Sequence, residues 1–246
     1  MTATDPDTEA RRLARLRALS VMDTAPEALF DGLAVAAATA LGTPIAAVNL
    51  IDADRQWTKA GVGVEVGRSR PRSEGLCGYT ILGDALLEVA DARLDPRFVD
   101  HPAVTGRDGI RFYAGAPIIL DDGSRLGALC AADHEPRMLT VAQRELLRAL
   151  ARVASEALQL RLDSLEHEVL LDRTGRLADV GGWSLDLTSN VLRWSAQTFR
   201  LHDLPVGPVP TLEESLAFYP VEGRLRLAHE IDRARREGDG WDLELP

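Results

Sequence analysis

Apolar residues recur at helical spacing near the N-terminus. In residues 8–19, Leu13, Leu16 and Leu19 fall on one face of a helix that Thr8 can cap. After a break over residues 22–26, a second helix is expected with Thr24 as cap and Pro26 and Glu27 in its first turn, where a missing N–H costs little. Leu29, Phe30, Leu33, Ala34, Ala37 and Leu41 form its apolar face, and Gly42 suits its C-terminal cap. The pattern then turns to strands at 45–51 and 57–62, joined by Asp52, Ala53 and Asp54. Residues 63–75 are rich in Gly, Arg, Pro and Ser and read as loop. A short helix over 76–82 and a short strand over 86–89 follow. The stretch 91–108 is turn-rich and long, as functional loops tend to be. Strands at 112–120 and 126–132 are joined by Asp121-Asp122-Gly123-Ser124, a hairpin signal. Thr140 then caps a helix running to about residue 171. This order predicts an α+β fold, with an antiparallel sheet and helices on one side.

The chain changes character at residues 172–175. Strands are expected at 183–187 and 191–194, and a short helix capped by Ser195. Thr211 and Glu214 make a capping-box pattern for the next helix. A further helix from about residue 221 carries Leu225, Leu227, Ile231 and Ala234 and stops near Gly238, after which 241–245 begins a strand.

The chain has 246 residues, enough for one large domain or two modest ones. It is 46% hydrophobic and 27% charged, which excludes a disordered tail. The net charge of −10 without a basic tract argues against nucleic-acid or anionic-membrane partners. No apolar run approaches the ~20 residues that span a bilayer, and the polar N-terminus lacks a secretory h-region. Two cysteines cannot build a disulfide framework, so a reducing cytoplasm is the expected location.

Six segments, SVMDTAPEALFDGLA, PIAAVNLIDADRQWTKAGVG, SEGLCGYTI, VADARLDPRFVDHPAV, IRFYAGAPI and GSRLGALCAADHEPRML, resemble a bacterial GAF domain in the same order over about residues 10–160. The resemblance implies a sensory module with an antiparallel sheet, helices on one face, and a small-molecule pocket under loops on the other. The segments RLADVGGWSLDLTSNVLRWSAQTFRLHDLP and TLEESLAFYPVEGRLRLAHEIDRARREGDGWDLELP resemble the N-terminal part of a PAS domain, whose sheet would need two further strands. The expected layout is a GAF domain over 8–160, a joining helix over 161–175 and a C-terminally incomplete PAS α/β fold over 176–246. A sheet cut short leaves an open edge, so a longer protein is expected.

On this resemblance the candidate pocket residues are Cys77, Tyr79, Asp91, Arg97, Phe98, Phe112 and Tyr113. Phe112 and Tyr113 are adjacent in a strand and point to opposite faces, so only one can line a pocket. A buried Arg97 among Asp91, Asp95 and Asp100 would lock the long loop by bidentate bonds or bind an anion. Cys77 could hold a linear tetrapyrrole, but the histidine that bilin-binding relatives place after the cysteine is absent. Cys77 and Cys130 are expected to be small buried hydrophobes. No zinc spacing, phosphate loop, histidine-kinase box, cyclic-nucleotide signature or flavin-binding PAS cysteine is present, and His202 is expected to be an exposed helix-end residue. No catalytic residue or metal ligand is expected, and the cofactor is unknown.

The long helix carries two apolar stripes. One is Leu146, Leu150, Val153, Ala157 and Leu160, and the other is Leu147, Ala151, Ala154, Leu158, Leu162, Leu165 and Val169. The second has coiled-coil spacing with one stutter and continues past Leu160. Leu158, Leu162, Leu165 and Val169 are therefore expected to lie beyond the GAF core and pair with a second copy, with Arg161 a free flank. The expectation is a dimeric, cytoplasmic GAF–PAS input module that is not itself an enzyme. It would serve a histidine kinase, or alternatively a diguanylate cyclase or a bilin photoreceptor. A methionine-sulfoxide reductase using Cys77 and Cys130 would need the two thiols close enough to exchange.

Overall fold

The protein is represented by a computed structural model that describes residues 5–106, 109–238 and 243–244. The chain divides into two compact units, Met1–Leu165 and Glu166–Pro246.

The first unit opens with α1 (Pro6–Ala18) and α2 (Ala28–Leu41). Asp5, rather than Thr8, caps α1: its carboxylate accepts from the Thr8 N–H at 3.1 Å. An aspartate immediately before the first turn thus takes the orphan donor first. The start of α2 also differs from expectation. Thr24 donates its hydroxyl to the Val21 carbonyl at 2.8 Å, residues 24–27 stay extended, and Glu27 flanks the first turn. Gly42 closes α2 with φ +63°, as expected of a left-handed cap. Leu29 is exposed, so the buried face is Phe30, Leu33, Ala34, Ala37, Ala38 and Leu41.

The strands are β1 (Ile45–Ile51), β2 (Arg55–Val62), β3 (Ser69–Pro71), β4 (Leu87–Val89), β5 (Phe112–Ile119) and β6 (Arg125–Asp133). They form one antiparallel sheet in the order β3-β2-β1-β6-β5-β4. β3 is a short edge strand inside the stretch expected to be loop. Single helical turns α3 (Cys77–Thr80) and α4 (Pro102–Thr105) interrupt the connections. Alternation along the strands sends Ala46, Val48, Leu50, Phe112, Ala114, Leu129 and Ala131 to one apolar cluster with α1, α2 and the long helix. Ala47, Ile51, Tyr113, Ala128, Cys130 and Ala132 go to a second cluster on the opposite face, under α3 and the loops. The β1–β2 register steps from Val48↔Ala60 to Asn49↔Thr58, skipping Lys59. That bulge lets Trp57, Lys59 and Ala60 share the helix side while Gln56 and Thr58 face the other.

Helix α5 (Val141–Ala178) begins at the expected Thr140 cap, whose Oγ1 accepts from the Gln143 N–H at 3.2 Å, and runs seven residues past the expected end. Its core-facing stripe is Leu147, Ala151, Ala154, Leu158 and Leu162. This overturns the placement of Leu158 and Leu162 beyond the core: both are buried among the residues of the helix-side cluster. Leu165 is half-buried and Val169 exposed. Helix α2 lies alongside α5, Gln143 donating to the Ala40 carbonyl at 3.2 Å near one end and Arg161 reaching Glu27 near the other, so the helix-side core continues along α5 to Leu162. Arg161 is no free flank either, since it donates to Glu27 at 3.1 Å.

In the second unit, β7 (Trp183–Leu185) and β8 (Leu192–Trp194) form an antiparallel hairpin with Trp183 opposite Trp194. Ser195 caps α6 (Ala196–Leu201), and Thr211 and Glu214 close a full capping box on α7 (Leu212–Leu216), both as expected. Helix α8 (Val221–Glu237) ends at Gly238 with φ +73°. The strand expected over 241–245 falls largely outside the described residues. His202 is not the exposed residue expected: it is half-buried, 4.7 Å from the Phe218 ring and 4.9 Å from that of Trp194. Among the described residues, no helix is long and apolar enough to cross a membrane.

Candidate functional site

On the face of the first unit's sheet away from the long helices lies a small cavity of about 120 Å³. Its floor is built by strand residues whose neighbours feed the helix-side core: Ala47 and Asn49 of β1, Gln56 and Thr58 of β2, Tyr113 of β5, Cys130 and Ala132 of β6. Arg70 of β3, Glu74, Gly75 and Leu76 of the connection that follows, and Cys77 at the start of α3 cover it. Gly75 lets the cover come close, because a Cβ there would stand 2.0 Å from Gln56 Oε1 and push that side chain aside.

Polar side chains on this wall form one connected chain. Thr58 Oγ1 donates to Asn49 Oδ1 at 2.8 Å. Asn49 Nδ2 points at both sulfurs, 3.4 Å from Cys77 and 3.5 Å from Cys130. The two sulfurs are themselves 3.5 Å apart. Tyr113 Oη donates to Cys77 Sγ at 3.3 Å and lies 2.7 Å from Thr80 Oγ1. The Cys130 thiol's bond to Cys77 holds the Cys77 pKa below its ordinary value against the effect of burial, and the Tyr113 and Asn49 donors act in the same direction. The same contact with Cys77, with burial, drives the Cys130 pKa well up. Burial first, then the two thiols, raise that of Tyr113. Gln56 Oε1, also on this wall, is buried and has no hydrogen-bond partner among the described residues. An unmatched buried acceptor costs about 1–3 kcal/mol, so a donor arriving in the cavity would relieve it.

Of the residues the sequence singled out, Cys77 and Tyr113 line this cavity. Phe112 belongs to the helix-side core instead, which settles the choice between the adjacent aromatics. Phe98 is fully buried on the cavity's side of the sheet but only as a packing residue, edge-on to the half-buried Tyr79 with ring centroids 4.7 Å apart. Asp91 and Arg97 stand apart from it. Asp91 accepts from Arg93, and Arg97 is exposed and pairs with Asp95 at 2.6 Å. The expected buried arginine lock is therefore absent at Arg97, whose short tether to Asp95 keeps it at the surface. The loop is held by Phe98 and by Arg111, which donates to the Val104 carbonyl at 2.7 Å. Sequence reasoning missed Asn49, Gln56, Thr58, Arg70 and Glu74. Asn49 carried a signal, being the lone polar residue in the run IAAVNLI.

A larger groove of about 660 Å³ runs beside α5, lined by Asp84, Arg148, Arg152, Glu156 and Asp163 among others. It gathers side chains of mixed charge, and among the described residues none of the buried unpartnered polar atoms lies on its wall, so the smaller cavity is the better candidate. Among the described residues no cluster of three His, Cys, Asp or Glu side chains could hold a metal ion.

The chain is 35% identical over 233 residues to a cyclic di-GMP phosphodiesterase of Pseudomonas aeruginosa, an alignment taking in 94% of this chain and 39% of that protein. The chain therefore spans well under half of that relative. Among solved structures, the GAF domain of an Acinetobacter phosphoenolpyruvate-protein phosphotransferase matches with 20% identity and a TM-score of 0.46, over 68% of this chain and 97% of that one. The free methionine-R-sulfoxide reductase of Neisseria meningitidis matches with 19% identity and a TM-score of 0.44, over 68% and 96% respectively. The family model for the GAF domain matches residues 25–158, the stretch holding the whole sheet and the first turns of α5, and the chain belongs to the GAF-domain family.

Proposed function

We propose that this chain is the sensory part of a cytoplasmic bacterial signalling protein, in which a small polar molecule bound in the sheet cavity biases the packing of α5. The observation that carries the reading is the small cavity with an unpartnered acceptor, Gln56 Oε1, on its wall. Its volume of about 120 Å³ is below the ~300–1,000 Å³ of pockets for drug-sized ligands. That disfavours a tetrapyrrole and favours a compact hydrogen-bonding metabolite. Arg70 and Glu74 at the cover supply one charge of each sign.

A physical connection to α5 supports the output side. Lys59, next to Thr58 in β2, reaches the helix side and contacts Glu27 at 2.6 Å, and Glu27 in turn accepts from Arg161 of α5. A shift of β2 on ligand binding would be felt at the far end of the helix layer. The second unit, with its hairpin followed by short helices, is proposed to be a PAS module. The phosphodiesterase relative favours cyclic di-GMP turnover as the output over the histidine kinase expected from resemblance alone.

A homodimer remains part of the proposal, with its interface moved. Leu146, Val153 and Leu160 are 38%, 40% and 70% exposed, and with Leu150 and Ala157 they keep an unbroken four-three spacing. That spacing is what a second parallel copy of the helix would match. The test of the sensory reading is a thermal-shift and native-mass survey of the intact chain against free amino acids, purines and short carboxylates. A hit should vanish in Thr58→Leu, which removes a polar wall group. A hit equally strong in that variant and in Ala47→Phe would place binding elsewhere and defeat the reading.

A further inference from the structure

We propose that Cys77 and Cys130 are a peroxide-sensitive dithiol, a site where a hydroperoxide converts two buried thiols into one disulfide across the cavity wall. The sulfurs, 53 positions apart in sequence, stand 3.5 Å apart. Closing to the ~2.05 Å of a disulfide needs an approach of about 1.5 Å. Cys130 is held in a central strand paired on both sides, so the movement falls to Cys77, the first residue of the single turn α3. Both cysteines are buried, yet both line the cavity of about 120 Å³. A hydroperoxide little larger than water, which takes ~30 Å³ in the liquid, fits that space.

The surroundings give the two thiols different roles. Cys77 Sγ receives hydrogen bonds from Tyr113 Oη and Asn49 Nδ2, whereas Cys130 Sγ has no tyrosine donor and meets Asn49 Nδ2 at 3.5 Å, the Cys77 sulfur at 3.5 Å and the Ala47 backbone. Cys77 is the thiol with the lowered pKa and Cys130 the one with the raised pKa. Cys77 therefore attacks as thiolate. Its sulfur takes the distal oxygen of the hydroperoxide, the O–O bond breaks, and the leaving alkoxide or hydroxide picks up the proton that the Cys77 thiol released. The Cys77 sulfenic acid is then attacked by the Cys130 sulfur. The S–O bond breaks, and the departing hydroxide takes the Cys130 proton and leaves as water. In sum, two thiols and one hydroperoxide give one disulfide, one alcohol or water, and one further water. The bond ties α3 to β6 and removes the Cys77 thiol from its bonds with Tyr113 and Asn49, so oxidation alters the cavity wall directly. The inference does not depend on any ligand occupying the cavity.

The experiment treats the intact native chain with hydrogen peroxide, blocks remaining thiols with an alkylating agent, and maps peptides without reductant. Free thiols should fall from two to none, with the peptides holding Cys77 and Cys130 linked within one chain and released by dithiothreitol. In Cys130→Ser the reaction should stop at a dimedone-trappable sulfenic acid on Cys77. In Cys77→Ser, oxidation of Cys130 should slow by at least about ten-fold. Both thiols surviving peroxide in the native chain while reacting in the unfolded one would overturn the proposal. So would linkage only between chains, or undiminished Cys130 oxidation in Cys77→Ser. If either variant fails to fold, the peptide map of the unmodified chain decides alone.

Discussion

Replacing Lys59 by methionine isolates the bond between the sheet and its helix layer. The Lys59 side chain is 0% exposed, and its three ammonium donors are all used: Glu27 Oε1 at 2.6 Å, Thr24 Oγ1 at 2.7 Å and the Ala25 carbonyl at 2.8 Å. The charge also lies 5.7 Å from the ring centroids of both Phe30 and Trp57. Methionine keeps most of the stem, so little cavity opens, and the loss is that of the charge and its bonds. Hydrogen bonds to charged groups contribute ~1.5–3 kcal/mol each, and breaking a buried ion pair costs ~3–5 kcal/mol. Three features reduce this. Glu27 is 40% exposed and can return to water, it retains Arg161, and Thr24 keeps its bond to Val21. Relief from burying an ammonium offsets a further part. The expected loss is about 2–4 kcal/mol. Glu27→Gln keeps an acceptor at a half-exposed position but leaves the buried Lys59 ammonium without its counterion, so it should cost about 1–3 kcal/mol. Urea unfolding followed by near-ultraviolet circular dichroism measures both. If Lys59→Met lies within about 1 kcal/mol of the parent, the ammonium is not what joins strand to helix.

Further expectations follow from other contacts. Glu9 accepts from Arg12 and Arg72, and the Arg12 bond above all, against burial, lowers its pKa from 4.5 to about 2. Its stabilising effect is full above pH 4.5 and is lost as pH falls toward 2. Acid unfolding of Glu9→Gln should therefore show a shallower slope in that window, and an unchanged slope would refute the assignment. Gly115→Ala would put a Cβ 2.4 Å from Tyr113 Oη and 2.6 Å from Thr80 Oγ1. Because the tyrosine ring is buried and rigid, this should cost about 1–3 kcal/mol, read by thermal melting, and a neutral effect would mean the ring has room to move. Val153→Glu with Leu160→Glu should give a monomer that keeps its fold, by sedimentation velocity and far-ultraviolet circular dichroism. A dimer that persists moves the interface off α5.

The sheet was legible in the sequence because strand alternation is a local signal. The strands at 45–51 and 112–120 coincide with β1 and β5 within a residue, and the Asp121–Ser124 turn closes with Gly123 at φ +81°. Which α5 stripe faces the core was not legible. Both stripes are equally apolar, and the choice depends on how far α1 and α2 extend beside the helix, a tertiary fact that no periodicity records. The reading from residues gave the continuing end of the second stripe to a partner copy, whereas that same stripe, as far as Leu162, is buried with Leu16 and Phe30 in the helix-side core. The cap of α1 failed for a related reason: Asp5 and Thr8 both suit an N-cap, and only the backbone geometry shows which donor is orphaned.

The candidate site was half legible, and the missing half shows what a fold adds. Cys77 and Tyr113 were recoverable from their motifs, yet neither motif indicates that Cys130 would meet Cys77 at 3.5 Å. That meeting requires β6 to lie beside β1, so that Asn49 and Cys130 share one face, and α3 to fold down over the same face. The bulge at Lys59 adds a second long-range effect, because it lets adjacent residues serve opposite layers: Thr58 the cavity, Lys59 the helices. A uniform alternation would have put Ala60 on the cavity side and drawn the helix-side core one residue short. The irregular point of the strand is thus where the cavity wall and the anchor to α2 and α5 are made by neighbouring residues. A movement of β2 at this point displaces both together, which is the property a sensory sheet needs.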